Sequence, residues 1–166
     1  MSFSTELKKE ISELGNLSNK EAVRYELIGY LISSNISEEK NKIKFSTENE
    51  YNINRFSRLL SNMEINNYDI TVQGNLFVIR VNKNMIKDLN IDEDFNLEQV
   101  KWLIRGAYLG SGSINNPERK YHLEIGIAKK NNAEKIVEYL KNYDIKSNII
   151  EKKSEYAIYL KDGEEI

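Results

Sequence analysis

The 166-residue chain has no cysteine, a single proline (Pro117) and a single histidine (His122). Without cysteine, disulfide frameworks, thiolate metal centres and cysteine nucleophiles are excluded. One histidine cannot furnish a multi-histidine metal site. A serine-hydrolase triad would have to use His122, and no GxSxG elbow accompanies it. No apolar run approaches the ~20 residues that span a bilayer. The start, Met1-Ser-Phe-Ser-Thr-Glu-Leu-Lys-Lys-Glu10, lacks the basic opening and apolar middle of a signal peptide. A cytoplasmic chain with no membrane partner is expected. Charge of one sign is lacking too: the net formal charge is -2. Residues 1–83 carry 11 basic and 11 acidic side chains, and residues 84–166 carry 13 and 15. Neither half is a basic block, so strong nonspecific nucleic-acid binding is not expected, although a local basic surface remains open. What is there is a 40% hydrophobic share, enough for a packed core. The length suits one domain, or two small ones in close contact.

Hydrophobic spacing then divides the chain. Phe3, Leu7, Ile11 and Leu14 recur at helical spacing, with Ser4 able to cap and Gly15 to end the helix. A second helix is expected over Asn19–Ser34. A strand follows at Lys42–Ser46, with Ile43 and Phe45 on one face. Ile53, Phe56, Leu59, Leu60 and Met63 mark a helix over Thr47–Met63. Strands at Asp69–Gln73 and Leu76–Asn82 meet through Gly74-Asn75, a hairpin signal. Residues 83–96 read as a solvated, partly helical linker carrying Asp88, Asp92, Glu93 and Asp94. The order then repeats: a helix over Leu97–Ser111, a turn at Asn115-Asn116-Pro117, a strand at Tyr121–Ala128, a helix over Asn132–Tyr143, and strands at Ser147–Lys152 and Tyr156–Lys161. Adding Asn35–Ile36 and Ser113–Ile114 as hairpin partners makes each unit αββαββ. The expected division is an N-terminal helix (1–18), a first repeat (19–82), a linker (83–96) and a second repeat (97–166).

The duplication is visible in residues. Leu27-Ile-Gly-Tyr-Leu-Ile-Ser-Ser-Asn-Ile36 aligns with Ile104-Arg-Gly-Ala-Tyr-Leu-Gly-Ser-Gly-Ser113 at an offset of 77, the difference between 106 and 29. That period is too long for a solenoid and fits a pseudo-twofold pair. Glycine inside a helix costs about 0.5–1 kcal/mol relative to alanine. Gly106 and Gly110 lie four apart on one helix face, and Gly29 and Ser33 hold the matching places. A lone helix glycine more often ends its helix or meets a bulky neighbour. Recurrence of small-x-x-x-small in both copies favours a seam along which the two repeat helices pack.

These features resemble a known family. A paired helix with internal glycine, a small-residue turn and a following ββαββ resemble the LAGLIDADG homing-endonuclease fold. The chain is more closely similar to the N-terminal region of the WhiA family of bacterial sporulation and cell-division transcription regulators. The resemblance rests on Met1–Ile11, on Phe45-Ser-Thr-Glu-Asn49, on Arg105-Gly-Ala-Tyr-Leu-Gly-Ser-Gly-Ser-Ile114 running into Asn115–Glu124, and on Tyr159–Ile166. The Arg105–Glu124 stretch is the most specific of these. The resemblance implies an α+β fold of two αββαββ repeats, with the motif helices packed at the centre and saddle-like antiparallel sheets. It also implies a DNA partner and a helix-turn-helix domain that supplies much of the DNA affinity. No such element appears before Ile166, so the chain is expected to be a domain fragment.

One departure bears on chemistry. LAGLIDADG nucleases place an Asp at the end of each motif helix, where the pair holds divalent metals that neutralise charge on the scissile phosphate. Here those positions are Ser34 and Ser111. A hydroxyl is a poor replacement for a carboxylate. A neighbour such as Glu38 or Glu39 could replace one lost ligand, but losing both leaves no evident site. No enzyme activity, metal, cofactor or small-molecule substrate is expected.

In the resembled fold one sheet face packs on helices and the other meets nucleic acid. Strand alternation turns Lys42, Lys44, Ser46, Thr71, Gln73, Arg80 and Asn82 outward in the first repeat, and His122, Glu124, Asn148, Lys152, Tyr159 and Lys161 in the second. The opposite set is apolar and includes Ile70 and Val72. Lys42, Lys44, Gln73, Arg80, His122, Lys152, Tyr159 and Lys161 are therefore the candidate DNA contacts. Any exposed sheet face carries outward polar residues, and Glu124 and Asp69 would repel phosphate. A lone strand histidine is more often a hydrogen-bonded polar residue than a catalytic group. The leading expectation is a catalytically silent domain of a nucleoid-associated regulator that contacts double-stranded DNA weakly. Protein partners stay open, as does a pure protein-interaction module. An active homing endonuclease with displaced carboxylates is the less favoured alternative.

Overall fold

The computed structural model describes residues 3–13, 17–91, 94–114, 122–153 and 155–160. Two αββαββ units follow one another: α2 (Lys20–Ile32), β1 (Ile36–Glu39), β2 (Lys42–Thr47), α3 (Glu50–Asn62), β3 (Tyr68–Gln73) and β4 (Leu76–Asn82), then α5 (Leu97–Ser111), β5 (Gly112–Ile114), β6 (Leu123–Ile127), α6 (Lys130–Lys141), β7 (Asn148–Glu151) and β8 (Tyr156–Leu160). A helix α1 (Phe3–Glu13) precedes them, and a single turn α4 (Lys83–Ile86) starts the linker. Each unit forms an antiparallel four-stranded sheet, ordered β1-β2-β4-β3 and β5-β6-β8-β7.

The helices divide by their pattern. On α2, Val23, Tyr25, Leu27, Ile28, Gly29, Tyr30 and Ile32 are all buried, and α5 is buried nearly as broadly. A helix apolar on all sides must lie inside. These two therefore pack against each other at the centre. Both start on an asparagine cap at the 77-residue offset: Asn19 Oδ1 accepts from the Ala22 N–H at 3.2 Å, and Asn96 Oδ1 from the Gln99 N–H at 2.9 Å. Gln99 completes a capping box by accepting from the Asn96 N–H. In contrast, α3 and α6 are amphipathic and cover the inner sheet faces with Phe56, Leu59 and Leu60, and with Ile136, Tyr139 and Leu140.

Several boundaries differ from the sequence pattern. The second helix ends at Ile32, not Ser34, because the Ser33 hydroxyl and N–H both bond back to the Tyr30 carbonyl. Thr47 belongs to β2, so α3 starts at Glu50 after Asn49. Helix α6 starts two residues early, at Lys130, and ends at Lys141. Ile70 and Val72 share the inner-face register with Ile79 and Phe77 but are 47% and 66% exposed. They lie on the edge strand β3, beyond the reach of α3. Leu14, Gly15, the Asn115–Pro117 turn, Tyr121 and Lys161 lie outside the described residues.

The linker is less solvated than its acidic residues suggest, since Leu89, Ile91 and Phe95 are buried. Ile86, Leu89 and Ile91 close on Leu31, Ile36 and Ile43 around a cavity of about 270 Å³. In the second unit Leu7 and Ile11 of α1 line a cavity of about 300 Å³ against Tyr108, Ile114, Leu123 and Ile125. Leu31 and Tyr108 are 77 positions apart. Thus α1 fills in the second unit the place that the linker fills in the first. Helix α1 touches both units. The Thr5 carbonyl accepts from Tyr51 Oη at 3.3 Å, and Ser4 Oγ accepts from the Ile114 N–H at 3.3 Å.

Lys8 of α1 is half-buried, with Nζ 5.7 Å from the Tyr108 ring centroid. Burial pushes its ammonium pKa down to about 8. An unfolded lysine keeps its proton to about pH 10.4. Between these values the unfolded chain binds more protons, so this group makes stability rise with pH from about 8 towards 10. In urea melts across that range, Lys8→Met is expected to flatten the rise. An unchanged slope in the variant would refute the assignment.

Candidate nucleic-acid interface

The central seam is built on backbone contact. A Cβ on Gly29 would stand 2.1 Å from the Leu103 carbonyl oxygen, and one on Gly106 would stand 1.8 Å from that of Glu26. Glu26 and Leu103 are themselves 77 apart, so the two approaches are related by the pseudo-twofold. One helical turn further on, a Cβ on Gly110 would meet Ser33 Oγ at 2.4 Å. Gly29, Ser33, Gly106 and Gly110 thus line one contact between α2 and α5, with Ser33 as the residue capping α2.

The seam delivers Ser34 and Ser111 to one spot. Ser111 is the last residue of α5, and Ser34 lies two residues past the end of α2. The Ser34 N–H donates to Ser111 Oγ at 3.0 Å and to the Gly126 carbonyl at 2.9 Å. Ser111 Oγ donates to the same carbonyl at 2.5 Å. A side chain at Gly126 would point to the outer face of β6 and run into Ser34 Oγ at 2.3 Å. Asn35 Nδ2 donates to the Gly110 carbonyl at 2.6 Å. The axis is therefore a compact, uncharged cluster of hydroxyls, an amide and a backbone carbonyl. The two nearby carboxylates are committed elsewhere: Glu38 to Lys83 (3.5 Å) and Lys129 (4.0 Å), and Glu39 to Arg80 (3.0 Å) and Lys44 (3.5 Å). Among the described residues no three of His, Asp or Glu gather where an ion could sit.

On either side of the axis lie the outer sheet faces. In the first, one cross-strand row reads Ser37, Lys44, Arg80 and Asp69, and the next reads Glu39, Lys42 and Asn82. Lys42 Nζ is 3.7 Å from Asp69, and Arg80 also donates to Thr71 Oγ1 at 3.2 Å. Arg80 holds the Glu39 carboxyl below its ordinary pKa by hydrogen bonding, assisted by Lys44. Gln73 is at the exposed end of β3, next to the Gly74 turn. In the second sheet the row is Ser113, Glu124, Tyr159 and Asn148, and Lys152 donates to Glu124 at 3.1 Å. His122 Nδ1 hydrogen-bonds the Tyr159 hydroxyl. Of the candidate contacts, Lys42, Lys44 and Arg80 cluster on one face, and His122, Lys152 and Tyr159 lie on the other sheet. Each described cation among them meets a carboxylate.

One buried polar arrangement was not legible from strand and helix spacing. Glu26 and Arg55, each 3% exposed, form a bidentate ion pair at 2.7 and 3.0 Å beneath the seam. Arg55 Nη1 also donates to the Ser12 carbonyl of α1 at 3.2 Å, and Arg105 lies 3.9 Å from Glu26. Burial opposes the Arg55 charge, but Glu26 outweighs it and the pKa is raised. Beside them Tyr30 Oη donates to Asn52 Oδ1 at 2.5 Å, and Asn52 Nδ2 donates to the Leu109 carbonyl at 2.7 Å. Burial, then the Glu26 charge, pushes the Tyr30 hydroxyl well above its ordinary pKa. The ion pair's trace in the sequence is one acid and one base, each interrupting an apolar helix stripe.

With this geometry in place, the relatives can be compared. The family described as the WhiA LAGLIDADG-like domain matches residues 100–166. Over its whole length the chain is 28% identical to a probable cell division protein WhiA of Clostridium tetani and 32% identical to that of Clostridium novyi. It spans 62% of the length of each. The N-terminal LAGLIDADG domain of DUF199/WhiA superposes on 99% of the chain, which covers 88% of that domain, with a TM-score of 0.81 at 22% identity. The homing endonuclease I-DmoI in complex with DNA and Ca superposes on 88%, which covers 85% of that chain, with a TM-score of 0.61 at 15% identity. Both structures share the fold of two helix-seamed sheets. Residues 100–166 thus match the family described as the WhiA LAGLIDADG-like domain, and the whole chain is similar to WhiA proteins and shares the LAGLIDADG fold.

Proposed function

We propose that this chain is a non-cleaving, duplex-DNA-contacting domain of a WhiA-type regulator of cell division and sporulation. Its own DNA affinity is weak, and the strong contacts belong to a helix-turn-helix domain outside these 166 residues. In a cell it would work at the nucleoid. The observation that carries the non-cleaving reading is the pair Ser34 and Ser111: neither position offers a carboxylate, and the Ser111 hydroxyl is spent on the Gly126 carbonyl and the Ser34 N–H. Phosphodiester cleavage of the nuclease type needs carboxylates there to hold divalent cations. The shared fold with a DNA-bound homing endonuclease supports a DNA partner for the outer faces. The paired charges on those faces favour the second reading, a protein-interaction module.

Incubation of the chain with linear duplex DNA and Mg²⁺ or Mn²⁺ is expected to leave the DNA intact. A parallel mobility-shift titration is expected to show binding that fades between 50 and 200 mM salt. Metal-dependent cutting abolished by mutation at Ser34 or Ser111 would overturn the non-cleaving reading. No shift even at the lowest salt would favour the protein-interaction module.

A further inference from the structure

The basic candidates on the outer sheet faces are not presented singly. Lys42 pairs with Asp69, Lys44 and Arg80 share Glu39, and Lys152 pairs with Glu124. The four cations and three carboxylates leave one positive charge over two sheets. Nothing in folding requires these carboxylates. Exposed ion pairs contribute about 0–1 kcal/mol each, and a serine or threonine serves as well on a strand's solvent face. Their register is nevertheless specific: Asp69 stands directly opposite Arg80, Glu39 opposite Lys42, and Glu124 opposite Tyr159. Glu39 and Asp69 thus flank the inner strands β2 and β4 from the two edges, and Glu124 stands on the inner strand β6, all on the surface that a duplex would cover.

We propose that Glu39, Asp69 and Glu124 form an acidic gate that sets the strength of DNA contact: they hold the outer-face cations and repel phosphate, so the face admits a duplex without gripping it. This inference rests on the DNA reading above. Two physical effects act together. A cation bound to a carboxylate must give up that partner before it neutralises a phosphate. The remaining carboxylate then lies close to the phosphate, where like charges repel. The gate keeps the domain from holding arbitrary DNA on charge alone and leaves selection to contacts made elsewhere. A basic face would instead bind duplex of any sequence, because phosphate contacts carry no sequence information.

The test uses the 166-residue chain and a variant carrying Glu39→Gln, Asp69→Asn and Glu124→Gln. These replacements keep shape and remove three negative charges. A control variant carries Glu10→Gln, Glu134→Gln and Glu138→Gln, which are exposed positions on α1 and α6, away from the outer faces. It has the same net charge as the gate variant. Binding to a random-sequence duplex is measured by fluorescence anisotropy from 25 to 200 mM KCl, after thermal melts confirm that all three proteins fold. The gate variant is expected to bind at least about tenfold more tightly at the lowest salt. Its log–log salt slope should steepen by roughly one for each newly contacted phosphate. The control should stay within about twofold of the parent. Equal tightening in both variants overturns the gate in favour of a bulk charge effect. A parent that binds while the gate variant binds no better overturns the gate and leaves the DNA reading intact. No binding by any of the three overturns the DNA reading itself.

Discussion

Gly106→Ala is expected to lower the unfolding free energy by about 3 kcal/mol, the upper range for forcing atoms into a packed interior. The added Cβ would stand 1.8 Å from the Glu26 carbonyl oxygen and 2.8 Å from its carbon. Both are helix backbone, and no rotamer change moves them. The helices must part, and separation loosens every contact along the seam, because interiors are close-packed and bistable rather than elastic. Gly29→Ala faces the Leu103 carbonyl oxygen at 2.1 Å and should cost a similar amount. Gly74 is a useful contrast. It has no heavy atom within 4 Å of a built Cβ, but its φ is +63°. Gly74→Ala should therefore cost only about 1 kcal/mol, the left-handed backbone penalty alone. Urea unfolding followed by Trp102 fluorescence and circular dichroism measures all three. If Gly106→Ala unfolds within 1 kcal/mol of the parent, the close approach of α2 and α5 is not what holds the two units together.

The second large effect is at the buried ion pair. Glu26→Leu should destabilise the chain by about 3–5 kcal/mol, because it leaves the Arg55 guanidinium buried without its counter-charge. The double variant Glu26→Leu with Arg55→Met should recover most of that loss, since a well-packed apolar pair avoids the desolvation cost of both charges. The fold has tested half of this already: Leu103 holds the place equivalent to Glu26 in the second helix and is fully buried. A double variant as unstable as the single one would show that Arg55 matters chiefly through its bond to the Ser12 carbonyl, which ties α1 to α3. A double-mutant cycle on the same urea melts separates these outcomes.

Much of the architecture was legible from local pattern. The Gly74-Asn75 hairpin and the Leu97–Ser111 helix fall where spacing placed them. Capping chemistry and side-chain periodicity are local properties, and nothing non-local overrides them there. The end of α2 was not legible, because Ser33 turns its hydroxyl back onto the Tyr30 carbonyl and stops the helix early. Ile70 and Val72 misled for another reason. Alternation gives the face a side chain points to, but burial depends on whether an element covers that face, and α3 does not extend over the edge strand.

The candidate site divides the same way. Which residues point outward follows from a period of two, and Lys42, Lys44, Arg80 and Glu124 could be assigned to the outer face from spacing alone. That their charges cancel in pairs depends on which strands become neighbours. Arg80 and Glu39 are 41 positions apart, and Glu124 and Lys152 are 28 apart. Only the order β1-β2-β4-β3 and its counterpart bring them together.

By itself, then, the sequence determined the duplication, the element order, the small-residue seam and the serines that recur at positions 34 and 111. Each of these is written in residue identity and in the 77-residue offset. The tertiary structure decided what the remaining polar groups do. It closed Ser34 and Ser111 onto one carbonyl, buried Glu26 against Arg55, and set every described outer-face cation beside a carboxylate. These outcomes rest on distances between residues far apart in the chain, and electrostatic and hydrogen-bond energies are set by distance and burial, not by sequence separation.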